Sequence, residues 1–79
     1  MSVDVLLEEQ IALWLADGRP DRLVWRSERW RVVDAPARLP ENAGAGWRFR
    51  ARSETSGALR EFEARSDGEH WFVVAALAR

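Results

Sequence analysis

The stretch from Trp47 to Leu77 determines the fold class, because its polar and apolar residues alternate. Residues 47–53 read WRFRARS, in which every second residue is Arg and the residues between them are apolar or small. This is the period of a β-strand with one buried face, whereas a helix would spread the arginines around its whole surface. Residues 58–65 (ALREFEAR) and 70–77 (HWFVVAAL) follow, separated by the turn sequences ETSG and SDGE. The stretch therefore predicts three antiparallel strands.

The two turn sequences also predict the register of these strands. A two- or four-residue first loop and a type I′ turn at Asp67-Gly68 give one consistent set of facing residues. The predicted pairs are Arg52 with Glu61, Arg50 with Glu63, Ala51 with Phe62, Phe49 with Ala64, Phe62 with Val73 and Ala64 with Trp71. One face is then apolar and forms the predicted core, comprising Trp47, Phe49, Ala51, Phe62, Ala64, Trp71, Val73, Ala75 and Leu77. The opposite face carries paired Arg and Glu residues together with Phe72 and Val74, and a slip of one residue would bury the arginines.

Residues 3–17 carry signals for two different structures. Their Leu, Glu, Gln and Ala residues are strong helix formers, and Gly18 followed by Pro20 is a plausible helix stop. Apolar residues also alternate with other residues from Val3 onward and again from Ile11 onward. This alternation favours one or two strands that end at a turn through residues 17–20. The residues alone leave both alternatives open.

The middle of the chain predicts a second hairpin and a long loop. Residues 22–26 and 30–34 flank Ser27-Glu28 at hairpin spacing, which predicts Trp25 opposite Trp30 and Leu23 opposite Val32. Prolines and glycines mark residues 35–46 as a loop, because proline cannot donate to a strand ladder and glycine weakens one. We therefore expect an all-β fold of five to six strands in meander order. It would be a small SH3-like or OB-like barrel or a strongly twisted antiparallel sheet.

Length and composition predict one globular domain. A chain of 79 residues has room for a single core over residues 1–79, and 47% hydrophobic with 32% charged residues is typical of an ordered protein. The absence of Cys excludes a disulfide framework and Cys-based metal sites. The apolar run at residues 11–16 is shorter than the roughly 20 residues of a membrane span, and the acidic start lacks a signal peptide's basic region. We expect a cytoplasmic protein with no membrane segment and no cofactor.

The hairpin motif resembles a known family. Residues 18–32 read GRPDRLVWRSERWRV, which is similar to the pattern G-R-P-x-x-F-x-W-R-G-R-x-Y-x-V of a family of short actinobacterial proteins of unknown function. The family's final G-x-W-x-[LV] strand is matched by residues 68–73 with one extra residue. This sequence departs from the pattern with Ser27 at the turn Gly, Leu23 for Phe and Trp30 for Tyr. The resemblance implies a β-rich protein, favours strands before Gly18 and supplies no catalytic or binding residue.

Residues 47–76 resemble a second family more weakly. Their D-G turn before a W-x-V-x-A strand is similar to the β-rich tail of the catalytically dead Y-family polymerase homologue of the actinobacterial mutagenesis machinery. This resemblance also favours strands before Gly18, and it implies a link to DNA repair.

The sequence does not predict an enzyme. His70 is the single histidine, and its neighbour Glu69 would point to the opposite strand face. No serine lies in a Gly-x-Ser-x-Gly motif, which would be typical of a hydrolase nucleophile. Glu61 and Glu63 share a strand face, but their predicted Arg partners make them surface ion pairs rather than an acid and base couple. Residues 43–46 (AGAG) are too short for a phosphate loop and are followed by no Lys.

Two binding hypotheses remain. The first is a protein-interaction or accessory module, which includes a homodimer and uses exposed apolar residues at Phe72, Val74 and Trp14. The second is single-stranded nucleic-acid binding, in which bases stack on indoles and phosphates meet guanidinium groups. The net charge is only −1, but residues 19–60 carry ten Arg against five acidic residues. The predicted nucleic-acid residues are Arg22, Arg26, Arg29, Arg31, Arg48, Arg50, Trp25 and Trp30.

Overall fold

Seven antiparallel strands and no helix make up the computed structural model, which describes residues 3–40 and 46–78. The strands pair in the order β3-β2-β1-β7-β6-β5, and β3 also pairs with β5, so that six of them close into a barrel. A two-residue strand, β4, adds to β5 as an extra strand. The bounds are β1 Val3–Ala16, β2 Arg19–Trp25, β3 Glu28–Val32, β4 Ala37–Arg38, β5 Gly46–Ser53, β6 Leu59–Ser66 and β7 Trp71–Ala78. The all-β prediction and the small barrel are confirmed, and β4 lies within the segment predicted as a loop.

Residues 3–16 form one long strand rather than a helix. The strand pairs with β2 along one edge and with β7 along the other. Helix propensities differ by only tenths of a kcal/mol per residue, so pairing on both edges overrides them. At its end, Asp17 (φ 53°) and Gly18 (φ 76°) are both left-handed, as a type I′ turn requires. The alternative of a helical N-terminal segment is therefore wrong.

The β2–β3 hairpin turns one residue earlier than predicted. Arg26 and Ser27 have φ values of 53° and 64° and form the two-residue turn. Trp25 therefore faces Glu28, and Leu23 faces Trp30, so the predicted pairing of Trp25 with Trp30 is wrong. The shift moves each pair by two positions, and a shift of two exchanges partners without exchanging the faces of the sheet.

The β5–β6 register also differs from the prediction by two residues. Phe49 faces Phe62, Arg50 faces Glu61 and Arg48 faces Glu63. The loop is residues 54–57, because the Ser53 hydroxyl accepts hydrogen bonds from the next backbone amides and starts the turn there. The alternation of apolar and charged faces is as predicted, but the charge pairs are not.

The β6–β7 hairpin contains a bulge that was not predicted. Its turn residues are Gly68 (φ 102°) and Glu69, because the Asp67 carboxylate accepts hydrogen bonds from the backbone N–H groups of Glu69 and His70. Ala64 therefore faces Val73, and Ser66 rather than Ala64 faces Trp71.

Beyond the bulge the alternation of β7 is reversed. The register shifts between Glu63 and Ala64, so Phe62 faces Ala76 instead of the predicted Val73. Ala76 is fully buried. Positions 75 and 77 pair with Glu63 and Glu61, and the prediction that their side chains belong to the core falls outside the side chains that the structure describes. Trp71 is only half-buried against the core's edge.

An aromatic cluster fills the barrel. The Phe62 ring is completely buried, and its centroid lies 5.4 Å from Trp25, 5.1 Å from Trp30 and 5.8 Å from Phe49. Such pairs contribute about 0.5–1.5 kcal/mol each beyond the area they bury. The buried hydrophobic residues of the described chain are Ile11, Leu23, Trp25, Trp30, Trp47, Phe49, Ala51, Phe62, Ala64, Val73 and Ala76.

Candidate binding groove

The tryptophans divide into core residues and one exposed residue. Trp25, Trp30 and Trp47 are at most 8% exposed, and Trp71 is half-buried. Trp14 is 54% exposed. The prediction that bases stack on Trp25 and Trp30 is therefore wrong, because both indoles point into the barrel and pack on Phe62. Trp14 is the tryptophan with most of its surface exposed.

Three of the six predicted arginines are held by carboxylates. Nη2 of Arg26 lies 2.8 Å from Glu9, and Nη2 of Arg48 lies 2.8 Å from Glu63. Nε of Arg50 lies 2.9 Å from Asp34. Each of these pairs is close enough for a charge-assisted hydrogen bond, so the positive charge is already matched.

The pairs with Arg26 and Arg50 also lower the pKa values of their carboxylates, Glu9 and Asp34. The side-chain hydrogen bond from Arg26 is the main reason that the pKa of Glu9 lies below its usual value, and Trp25 Nε1 adds a second hydrogen bond. For Asp34, partial burial opposes ionisation. The hydrogen bonds from the side chain and backbone of Arg50 outweigh it and lower the pKa.

Two of the remaining predicted arginines form a line across the outside of the barrel with a third arginine, Arg52, that was not among the six. Arg22 faces Arg31 across β2 and β3, and Arg31 faces Arg52 across β3 and β5. Facing residues of antiparallel strands lie on the same side of the sheet. We call Arg22, Arg31 and Arg52 the arginine row. Trp14 on β1 faces Arg22 and extends the row by one strand, to a total span of about 14 Å at about 4.8 Å per strand.

The arginine row is only loosely neutralised. Nε of Arg22 lies 3.6 Å from Asp21, and Nε of Arg31 lies 3.8 Å from Glu54. Both distances exceed the usual limit of about 3.2 Å for an N–H to O hydrogen bond. Nη1 of Arg52 donates to the Gly57 carbonyl at 2.9 Å, so its contact is with a neutral group.

An open groove runs beside the row. Its volume is about 420 Å³, within the range of small-ligand sites. Arg29 contributes a further cation, because it lies on the same strand and the same face as Arg31. The groove is lined by Trp14, Asp21, Arg22, Leu23, Val24, Arg29, Trp30 and Glu54. We call the groove together with the arginine row the basic groove.

A bulge in β2 places Trp14 at the end of the row. Trp14 faces Arg22 but Leu15 faces Pro20, so Asp21 is an extra residue on β2. Proline has no N–H to donate and is tolerated at such a position. Beside this interruption of the ladder, Trp14 and its neighbour Leu15 are both about half exposed.

The structure does not gather the three predicted protein-binding residues into one exposed patch. Phe72 is half-buried and faces Gln10 on β1, four residues and roughly 13 Å along the strand from Trp14. Val74 is half-buried and lies where the β6–β7 register shifts. Of the three, Trp14 alone has most of its surface exposed.

The described residues contain no cluster of three or more His, Cys, Asp or Glu that could hold a metal ion. His70 is exposed at the β6–β7 turn, where its backbone N–H lowers the pKa of Asp67, assisted by that of Glu69. The described residues also form no helix of the length and apolar character that a membrane crossing requires.

No family model, curated protein or solved structure matches this chain. The resemblances to actinobacterial families stay predictions, and function is inferred from the residues of the chain itself.

Proposed function

We propose that this protein is a non-catalytic binding module whose basic groove takes a negatively charged partner. One observation carries the proposal. Arg22, Arg31 and Arg52 lie directly opposite one another on three adjacent strands, and among the described residues none of them has a hydrogen-bonded carboxylate.

Folding alone does not favour such a row. Like charges directly opposite each other destabilise a sheet, typically by roughly 0.2–1 kcal/mol per pair. The same barrel satisfies this rule elsewhere, since Arg48 faces Glu63 and bonds it at 2.8 Å. A bound anion would offset the repulsion in the row, and the accessible guanidinium groups match phosphate or carboxylate oxygens.

A second copy of this chain is a poor partner for the basic groove. The two-fold axis of a homodimer would place the arginine row of one copy against that of the other. Repulsion between the two rows would oppose the contact, so the homodimer predicted from the sequence would have to use another surface.

Retention on heparin-agarose tests the proposal. We expect the double variant Arg22→Gln/Arg31→Gln to elute at clearly lower salt than the unmodified protein, because two groove cations are lost. The matched control Arg48→Gln/Arg50→Gln changes the net charge equally but removes arginines that are already paired, so it should elute close to the unmodified protein. Equal elution of the two double variants, or no retention of the unmodified protein at low salt, would contradict the proposal. Circular dichroism of each variant checks that the barrel is intact.

A further inference from the structure

Trp14 gives the basic groove a feature that anion binding alone does not need. Its indole is the most exposed large hydrophobic side chain of those described, and it faces Arg22 at the end of the arginine row. An exposed indole forgoes the free energy of burial, about 25 cal/mol per Å² of apolar surface. The groove thus places a flat apolar ring beside a line of cations.

From this arrangement we infer that the partner is single-stranded nucleic acid, with a base stacked on Trp14 and the backbone phosphates on the arginine row. The inference rests on the proposed function and adds the class of ligand. An aromatic platform beside a basic groove is the combination by which proteins bind single strands without reading their sequence.

Single strands fit this surface better than a duplex. Bases in a duplex are already stacked on their neighbours, so the face of Trp14 would stay empty, whereas an unpaired base can swing onto it. The span of about 14 Å from Trp14 to Arg52 corresponds to a few nucleotides. Arg29 lies two residues from Arg31 on the same face and broadens the line of cations.

An acidic protein segment would use the row but not the ring. Carboxylates can pair with Arg22 and Arg31 as phosphates can, but a run of Glu or Asp residues offers no flat group for the indole. The two partner classes are therefore separated by whether Trp14 contributes to affinity.

Fluorescence-anisotropy titrations with four labelled probes test the inference. The probes are an oligothymidylate of about 20 nucleotides, an abasic strand of the same length and phosphate number, a duplex of that length and a poly-glutamate peptide. The proteins are the unmodified chain, Trp14→Ala, Trp14→Phe and the two double variants described above. Each titration is repeated at several salt concentrations.

We expect the unmodified protein to bind oligothymidylate at least about fivefold more tightly than the abasic strand, since one base stacked on an aromatic ring is worth this factor or more. Trp14→Ala should remove that preference, and Trp14→Phe should keep most of it because a phenyl ring also stacks. Arg22→Gln/Arg31→Gln should weaken both strands and reduce the slope of log K against log salt by about 1.4, at 0.7 per lost phosphate contact. The duplex and the peptide should bind more weakly than oligothymidylate.

Two sets of results would overturn the inference and leave the proposed function standing. One is equal binding of oligothymidylate and the abasic strand with no effect of Trp14→Ala, which would mean an anion site without stacking. The other is poly-glutamate binding as tight as oligothymidylate, which would indicate an acidic protein partner. No binding of any polyanion at low salt, or binding unchanged in Arg22→Gln/Arg31→Gln, would overturn both.

Discussion

Replacing Arg31 by Gln should stabilise the fold while weakening binding. Arg31 is the middle member of the arginine row and faces Arg22 on one side and Arg52 on the other. The substitution removes its charge and keeps most of its length, so both like-charge contacts disappear together. A gain in stability on removing a charged side chain is the opposite of what a structural role would give.

The magnitude follows from the pairs that are lost. Two like-charge contacts cost roughly 0.2–1 kcal/mol each. The pair between Arg31 and Glu54, at 3.8 Å with both side chains largely in solvent, contributes about 0–0.5 kcal/mol and is lost as well. The net gain therefore falls between about 0 and 2 kcal/mol, and its midpoint of about 1 kcal/mol corresponds to a rise in Tm of about 4–8 °C for a domain of this size.

Urea unfolding at two salt concentrations measures this effect. At about 10 mM salt the screening length is about 30 Å and the gain should be complete, whereas at about 1 M it is about 3 Å and most of the gain should vanish. Arg48→Gln is the control, because it changes net charge equally but breaks a hydrogen-bonded pair. It should lower the free energy of unfolding by about 0.2–1 kcal/mol at low salt.

The outcome that would refute the reasoning is a loss of stability in Arg31→Gln at low salt, or a gain that high salt leaves unchanged. A loss would mean that the row is neutralised within the fold. A salt-independent gain would come from strand propensity or packing rather than from charge.

Three further predictions concern the fold that carries the groove. Ser27→Gly should raise the free energy of unfolding, measured in urea, by up to about 1 kcal/mol, because Ser27 has a left-handed φ of 64° that glycine adopts without strain. Gly46→Ala should lower the Tm by an amount equivalent to about 1–3 kcal/mol, because a Cβ there would lie 2.6 Å from the Ala64 carbonyl oxygen. Lowering the pH should reduce the free energy of unfolding below about pH 4, since the pKa values of Glu9 and Asp34 are lowered in the folded state. The stability these carboxylates provide is complete above their unfolded pKa values and is lost as the pH falls through the folded ones. Asp34→Asn should flatten this dependence in urea titrations between about pH 6 and pH 3. A pH profile as steep as that of the unmodified protein would contradict the role given to Asp34.

The sequence is sufficient to predict which residues face inward on β5, on β6 and at Val73 of β7, because strand alternation does not depend on knowing the exact turn. Trp47, Phe49, Phe62 and Val73 all lie in the core as expected. Both register errors of two positions arose at turns, where Arg26 and Ser53 begin the turn one residue earlier than expected. A shift of two exchanges partners without exchanging faces, so the fold class survived the error.

Features that depend on distant pairing could not be predicted. The bulge in β7 that puts Ala76 in the core leaves no composition signal, since residues 73–77 are apolar throughout. Closure of the barrel brings Arg31 beside Arg52, which lie 21 positions apart and share no turn. Aromatic residues among arginines are typical of a binding surface and predict one at Trp25 and Trp30, whereas barrel closure buries both.

The candidate site therefore depends on the register more than on the fold class. In the predicted register Arg52 faces Glu61, which would neutralise it and leave no line of unmatched charge. In the observed register Glu61 faces Arg50, and Arg52 faces Leu59 on one side and Arg31 on the other. The same residues on the same faces thus give either a row of ion pairs or a row of cations, depending on a shift of two positions. A loop-length variant that restored the predicted register should keep the barrel and weaken polyanion binding. If the barrel is kept and binding is weakened, the alignment of the charges, rather than the number of arginines, creates the basic groove.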